Sequence, residues 1–390
     1  MERPATMSHS RLSLRLFAPS LEPWRANGRP AVAALMSGGV DSSVAALVLR
    51  QCGWDVVGIT MKVPQAAPDH PRPCCGVDAA VVCHRLGLPH YFVDVEGAFG
   101  SLVLERFRRA YSEGRTPNPC VDCNSLVKFR LLWDFLEREL GIRYLATGHY
   151  ARVERVGARC FLARAGCAER DQSYFIYGVP RERLPHLLLP NGCFSKEEVR
   201  EIAASAGLPV AEKADSQELC FAGEGDYRRA LGRRGEPGPI LDTAGHRLGT
   251  HKGIENYTLG QRRGLGVALG EPRYVVRIDP LENSITIAPR HEAFRRRVAA
   301  GELNVLQPAA LRAGARLGGK VRSYGAIEPC NVAEVGKNYL VVEFDEPQFA
   351  PTPGQHLVLY DERGRIVAGG TIQDRVEEKG SLDGRDCSVQ

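Results

Sequence analysis

The sequence predicts an α/β chain, with a doubly wound parallel sheet in its N-terminal half and an all-β C-terminal part. Apolar runs of strand length alternate with helical patterns from about residue 30 to about residue 220, as a parallel sheet with crossover helices requires. After Phe221 the texture turns Gly- and Arg-rich, in RRALGRRGEPGPILDTAGHRLGTHKG. From about Phe294 onward, RLGGKVRSY, YLVVEFDEP and HLVLYDERGRIVAGGTI alternate apolar and polar residues between turns, the pattern of a small barrel or sandwich.

AVAAL (Ala31 to Leu35) is apolar throughout, which suits a strand buried on both faces. A polar turn leads into VAALVLRQCG, helical in its spacing, with Gly53 as the stop. DVVGITM (Asp55 to Met61) is the second strand, DAAVVCHRLGL a short helix, and PHYFVDV the third strand. LVLERFRRAYSEG is a further helix, and RYLATGH (Arg143 to His149) is strand-like again. The first 29 residues are rich in Arg and Ser and poor in acids, so they read as a disordered extension or a targeting peptide.

At 390 residues, 44% hydrophobic and 25% charged, the chain is globular and long enough for two or three domains. No apolar run reaches bilayer length, so no membrane partner is expected. A cytoplasmic location follows, or an organellar one should the extension be a transit peptide. The net charge of +5 permits a polyanionic partner without requiring one. Twelve scattered cysteines in a chain of this size fit a reducing compartment better than a disulfide framework. Most, such as Cys52, Cys160 and Cys193, read as packing residues.

Two stretches carry chemistry. SGGVDSS (Ser37 to Ser43) falls between the first strand and its helix, where unpaired N–H groups and the positive end of the helix dipole favour an anion. Gly38 and Gly39 let a ligand approach the backbone, Ser37, Ser42 and Ser43 add hydroxyls, and Asp41 suggests Mg2+ carried with phosphates. TPNPCVDCN (Thr116 to Asn124) places Cys120 and Cys123 three apart at the head of a helix-like run. Such a pair can hold a metal, shuttle a disulfide or present a nucleophile, and spacing alone leaves all three open.

SGGVDSS is neither a Walker loop nor GxGxxG; it resembles the pyrophosphate loop, SGGxDS, of ATP pyrophosphatases. GRTPNPCVDCNSLVKF, ATGHYAR, RDQSYF, DSQELCF, YTLGQRRGLG and TPGQ follow in that order. From about Ala31 to about Ile372 the chain resembles the tRNA-specific 2-thiouridylase family. The resemblance implies a Rossmann-like pyrophosphate-loop domain over 30–222, a small central tRNA-binding domain over 223–292 and a C-terminal β-barrel over 293–378. The extension 1–29 and a polar tail over 379–390 flank them.

It also implies the reaction: ATP adenylates the C2 oxygen of the wobble uridine, and sulfur then replaces that oxygen with release of AMP and pyrophosphate. Leu35, Met36, Ser37, Gly38, Gly39, Val40, Asp41 and Ser42, with Met61 and Gly148, would line the ATP site. Cys220 would carry a persulfide from a donor protein, or sulfide would be supplied. Cys123 would attack it, leaving a Cys123–Cys220 disulfide. A helix N-terminus would lower the Cys123 pKa for that role. Asn118, Pro119 and Cys120 would face the base. His149, Arg170, Asp171, Gln172, Arg322, Ser323 and Gln355 would touch tRNA, with Lys, Glu and Gln acceptors as the partners and the enzyme a monomer.

Two departures from the family pattern matter. Arg170 stands where lysine is usual, and either gives a cation for phosphate. Cys120 stands where many members carry an aspartate. That puts the acid–base role of the position in question and opens a rival route, in which Cys120, Cys123 and Cys220 ligate a [4Fe-4S] cluster with one iron left for sulfide. A remoter alternative is another ATP-dependent synthetase built on the same loop. The pairs Arg228–Arg229, Arg233–Arg234 and Arg262–Arg263 suit tRNA phosphates, or are simply solvated.

Overall fold

The computed structural model describes residues 13–16, 28–64, 75–215, 219–222, 227–232 and 235–374. In the N-terminal half the strands are β1 (Ser13–Leu16), β2 (Ala31–Leu35), β3 (Asp55–Lys62), β4 (His90–Asp94) and β5 (Tyr144–Ala146). A hairpin of β6 (Ala151–Val156) and β7 (Arg159–Arg164) follows, and then β8 (Leu187–Leu188). The sheet order is β1-β4-β3-β2-β5-β8, parallel throughout except for β1, which runs antiparallel to β4.

Alternate residues of the central strands enter two separate apolar clusters. Val32, Ala34 and Val56 pack with Val44, Val82 and Val199 on one face. Ala33, Val57 and Ile59 pack with Phe99, Val127 and Trp133 on the other. A strand buried on both sides needs helices on both sides, which is the doubly wound arrangement. Gly53 ends the helix Val40–Gln51 with φ +87°, a conformation that L side chains rarely adopt.

Two details differ from expectation. Ser13–Leu16, within the expected extension, pairs with β4 and covers what would otherwise be an open parallel edge. The rest of 1–29 outside Gly28 and Arg29, and the tail 379–390, lie outside the described residues. The strand expected over Arg143–His149 is shorter, because the chain leaves the sheet after Ala146 and turns toward the loop after β2.

The central unit is a sheet of β9 (Gly238–Leu241), β10 (Arg247–His251), β11 (Tyr274–Asp279) and β12 (Ser284–Ala288), ordered β10-β9-β12-β11 over Ile240, Val275, Ile285 and Ile287. The last six strands are β13 (Phe294–Val305), β14 (Arg316–Lys320), β15 (Glu328–Val335), β16 (Tyr339–Phe349), β17 (His356–Tyr360) and β18 (Ile366–Gln373). They close into a barrel through β13–β18 pairing, so the choice between barrel and sandwich falls to the barrel. No helix among the described residues is long and apolar enough to cross a membrane.

Candidate active site

The loop after β2 is built from its own short side chains. Ser42 Oγ accepts from Ser37 N at 3.2 Å and donates to Gly39 O at 3.1 Å, while Ser43 Oγ donates to the same carbonyl at 2.8 Å. Gly38 sits at φ +70°, and Gly39 opens the helix without a side-chain cap, which leaves its first N–H groups for a ligand. Leu35 ends β2, Met36 is buried with its N–H on Ile59 O, Val40 is buried in the first turn, and Met61 lies half-buried toward the same end of β3. Gly148 comes so close that a Cβ there would stand 2.7 Å from Asp41 C and from Ser42 N. Only glycine fits that approach.

Asp41 does not face open solvent alone. Its Oδ1 accepts from Tyr150 Oη at 2.6 Å and from Lys196 Nζ at 2.8 Å, and its Oδ2 accepts from Lys196 at 2.9 Å. Lys213 Nζ donates to Gly38 O at 2.9 Å and pairs with Asp78. Asn191 Nδ2 ties Asp41 O and Gly148 O together at 2.9 and 3.2 Å.

The cysteine pair opens one continuous helix: Pro119–Asp122, a π-type stretch Cys123–Leu132, then Trp133–Leu140, ending at Gly141. Asn118 caps it, its Oδ1 accepting from Val121 N, and Pro119 fills the first position, where no N–H is needed. Cys123 is 8% exposed, whereas Cys120 is an exposed residue of the same turn.

Burial raises the Cys123 pKa; the Lys128 ammonium pulls it back, and Cys120 and Asp122 push it further up. The Cys123 pKa is thus raised, not lowered as expected from the helix N-terminus: desolvation of the thiolate outweighs the single cation. Cys120 is ringed by protein closely enough that desolvation raises it too, against Lys128. Asp122 beside them is pushed up to about 6 by burial, although Arg106 Nε lies 3.7 Å away.

His149 follows Gly148 and shares a 2.8 Å hydrogen bond with Thr147 Oγ1. Burial and then Lys128 drive its pKa down to about 3, so the imidazole is neutral. Thr147–His149 thus runs from the backbone of the nucleotide loop to the electrostatic field of the cysteine helix.

In the turn 170–172, Asp171 accepts from Ala165 N, Ser173 N and Ser173 Oγ, each at 3.1 Å, and from Arg164 Nε at 3.2 Å. Gln172 Oε1 accepts from Tyr150 N at 3.0 Å, and Arg170 pairs with Asp215 at 3.4 Å. On the barrel, Arg322 donates to Phe349 O and to Ala350 O, and Ser323 is half-buried beside it. Gln355 Nε2 donates to Thr116 O at 3.0 Å and Pro117 O at 3.3 Å, while Thr116 N donates to Pro353 O at 2.9 Å. TPGQ therefore latches the segment that leads into the cysteine helix. Asp171, Gln172 and Gln355 spend their side chains on this internal framework.

Cys220 is exposed on the segment after Asp215, and the next residue, Phe221, packs against Phe99 at 5.7 Å and Phe107 at 5.6 Å. Phe221 and Cys123 belong to one apolar cluster, and the two cysteines are not joined as a disulfide. Arg262 and Arg263 are exposed, and Arg228 lies over Tyr227 at 5.6 Å; the side chain of Arg229, and Arg233 and Arg234 altogether, lie outside the described residues.

Three family models match in succession: a tRNA methyl transferase HUP domain over residues 30–224, a tRNA methyl transferase PRC-barrel domain over 229–289 and an aminomethyltransferase beta-barrel domain over 295–372. The tRNA-specific 2-thiouridylase MnmA of Moorella thermoacetica is 43% identical over 351 residues, covering 87% of this chain and 98% of that protein. The tRNA-specific 2-thiouridylase MnmA 1 of Syntrophus aciditrophicus is 43% identical over 347 residues, covering 87% and 91%. The chain belongs to the tRNA-specific 2-thiouridylase family. The family models speak of methyl transfer in their descriptions; the relatives' names speak of thiolation, and the cysteine motifs accord with the names.

Within this 2-thiouridylase framework the [4Fe-4S] route finds no support. Cys123 is buried, Cys120 and Cys220 are exposed, and no three His, Cys, Asp or Glu side chains among the described residues converge as metal ligands. Lys196, Lys213, Tyr150 and Asn191 are site residues that sequence reasoning missed. The signal for Lys196 was a lysine directly after Ser195, where a capping box opens a helix and a cation is at the wrong end of the dipole.

Proposed function

We propose that the chain is a tRNA-uridine 2-sulfurtransferase that uses ATP to adenylate the wobble uridine of tRNA and then replaces the C2 oxygen by sulfur. The observation that carries this is the continuity of Thr147–His149. Gly148 lies against the backbone of the loop suited to pyrophosphate, and His149 and Cys123 share the field of Lys128.

The C2 oxygen is a poor leaving group until it becomes a phosphate ester. Attack of that oxygen on the α-phosphorus of ATP expels pyrophosphate, which the free N–H groups after Gly39 and the Ser37–Ser43 hydroxyls suit. A magnesium ion carried by the triphosphate would supply charge neutralisation for the leaving pyrophosphate, and Asp41, whose oxygens accept from Lys196, would be the loop's carboxylate for it.

Cys220, exposed, accepts a persulfide from a donor protein. The Cys123 thiol gives up its proton to the terminal sulfur of that persulfide and attacks the inner sulfur, the S–S bond breaks, and HS⁻ leaves. The sulfide adds at C2 as AMP departs with the oxygen. The resulting Cys123–Cys220 disulfide takes two electrons from a thiol reductant before the next turnover. Lys128 stabilises the Cys123 thiolate once the proton has gone. Leu35–Ser42, Met61 and Gly148 serve ATP in this scheme; Asn118–Cys120 border the base; His149, the turn 170–172 and Arg322, Ser323 and Gln355 shape the tRNA surface. The acceptors are tRNAs for Lys, Glu and Gln.

Incubation with ATP, sulfide and unmodified tRNA, followed by nucleoside mass spectrometry, tests the proposal. 2-Thiouridine and pyrophosphate are the expected products; their absence with a folded protein overturns it.

A further inference from the structure

Lys196 is the most buried lysine near the loop, its side chain 4% exposed, and it stands in the first turn of the helix Lys196–Ser205. A cation there opposes the helix dipole and loses its hydration, so the fold must return three good acceptors. It does. The ammonium meets Asp41 Oδ1 and Oδ2 at 2.8 and 2.9 Å and Asp215 Oδ1 at 2.7 Å, one acceptor for each N–H. Asp41 belongs to the nucleotide loop, and Asp215 stands five residues before Cys220. Asp215 also meets Arg200 at 3.2 Å and Arg170 at 3.4 Å, so the turn 170–172 joins the same network.

We propose that Lys196 is a positioning residue that couples the two halves of the reaction: by bridging Asp41 and Asp215 it fixes the nucleotide loop against the root of the Cys220 segment. This rests on the sulfurtransferase reading. Cutting the Asp215 side of the bridge leaves Asp41 held by Lys196 and Tyr150, so the loop stays formed while the sulfur-bearing segment keeps its Phe221 packing but loses its link to the loop. Cutting the bridge at Lys196 leaves Asp41 on Tyr150 and Asp215 on Arg200 and Arg170, and loosens the loop as well as its link to the segment.

The test compares Asp215→Ala with Lys196→Met in the full-length enzyme, with ATP, a low-molecular-weight persulfide as sulfur donor, a thiol reductant and unmodified tRNA. Nucleotide affinity is read by equilibrium titration, and pyrophosphate released per 2-thiouridine formed by mass spectrometry. For Asp215→Ala, affinity stays within about 3-fold of wild type while pyrophosphate per thiouridine rises about 10-fold, a typical coupling between sites. Lys196→Met weakens nucleotide binding as well. Thermal melting screens for folding, and should Lys196→Met fail to fold, Asp215→Ala decides alone. An unchanged ratio in Asp215→Ala, or a loss of nucleotide affinity equal to that of Lys196→Met, overturns the coupling. A wild-type enzyme that makes neither product overturns the sulfurtransferase reading instead.

Discussion

The nucleotide loop and the cysteine helix are built to different degrees of completion. Around the loop, hydroxyls, the Asp41 carboxylate and the lysine ammoniums already have partners, and Gly148 closes its back at contact distance. The cysteine helix has an equally well-made start, capped by Asn118 and latched by Gln355, yet its chemistry is unfinished. Cys123 is buried with a raised pKa, and its expected partner Cys220 is exposed on another segment. A pyrophosphate site gains from being rigid beforehand, because orientation is most of its work. A reactive thiol gains from staying protonated and covered until the substrate arrives, since a standing thiolate invites oxidation.

The largest effect should therefore come from the unfinished half. With a persulfide as sulfur donor, Cys123→Ala lowers 2-thiouridine formation by on the order of 10³-fold, because the thiol that attacks the persulfide is gone. ATP affinity, measured by titration, stays at the wild-type value. A parallel loss of ATP affinity would erase the division between the halves.

Gly148→Ala strikes the finished half. Its Cβ would stand 2.7 Å from two backbone atoms of the loop, so the loop must shift. A displacement of about 1 Å at a preorganised site costs about 10²-fold in rate. Pyrophosphate release should fall by that much, while alkylation of Cys123 by iodoacetamide, followed by peptide mass spectrometry, keeps its rate.

The same contrast decides what the sequence could reveal. Ala31–Leu35, Asp55–Lys62 and the loop between β2 and its helix were legible, because apolar runs and small-residue turns are local signals. Lys196 was not, since the carboxylates it joins lie 155 and 19 residues away and only the fold brings them together. The Cys123 pKa was expected in the wrong direction because the local signal, a helix N-terminus, was visible, whereas the side chains that bury the thiol come from distant segments. The antiparallel strand Ser13–Leu16 was hidden by a composition that resembles a targeting peptide. Closure of the barrel, too, depends on β13 finding β18, a pairing no local pattern encodes.

Asp122 allows the hidden electrostatics of the cysteine helix to be measured. Its folded pKa of about 6 lies above the ordinary 3.8, so between those values the folded chain binds more protons than the unfolded one. Stability then falls as pH rises through that window, which is the reverse of a salt-bridged carboxylate. Urea unfolding should show this contribution, about 3 kcal/mol, largest below pH 3.8 and gone above about pH 6. The difference in stability between wild type and Asp122→Asn isolates this contribution and should fall with pH across the window. A difference that rises with pH would mean that Arg106 outweighs burial there.

Gln355→Ala should give the smallest effect, and it tests whether the latch belongs to the helix or to the barrel. The amide donates to two consecutive carbonyls, at 3.0 and 3.3 Å, just before the cap residue Asn118. Loss of such bonds at a partly solvated site costs about 1 kcal/mol, because water can replace the donor. Thr116 N to Pro353 O remains, so the segment stays docked but less sharply placed. Thiolation should drop less than about 5-fold, whereas pyrophosphate release in single turnover stays unchanged, since the loop after β2 feels nothing of the latch. An equal loss in both steps would show that the barrel steadies the whole catalytic unit, and the two halves would then have to be treated as one.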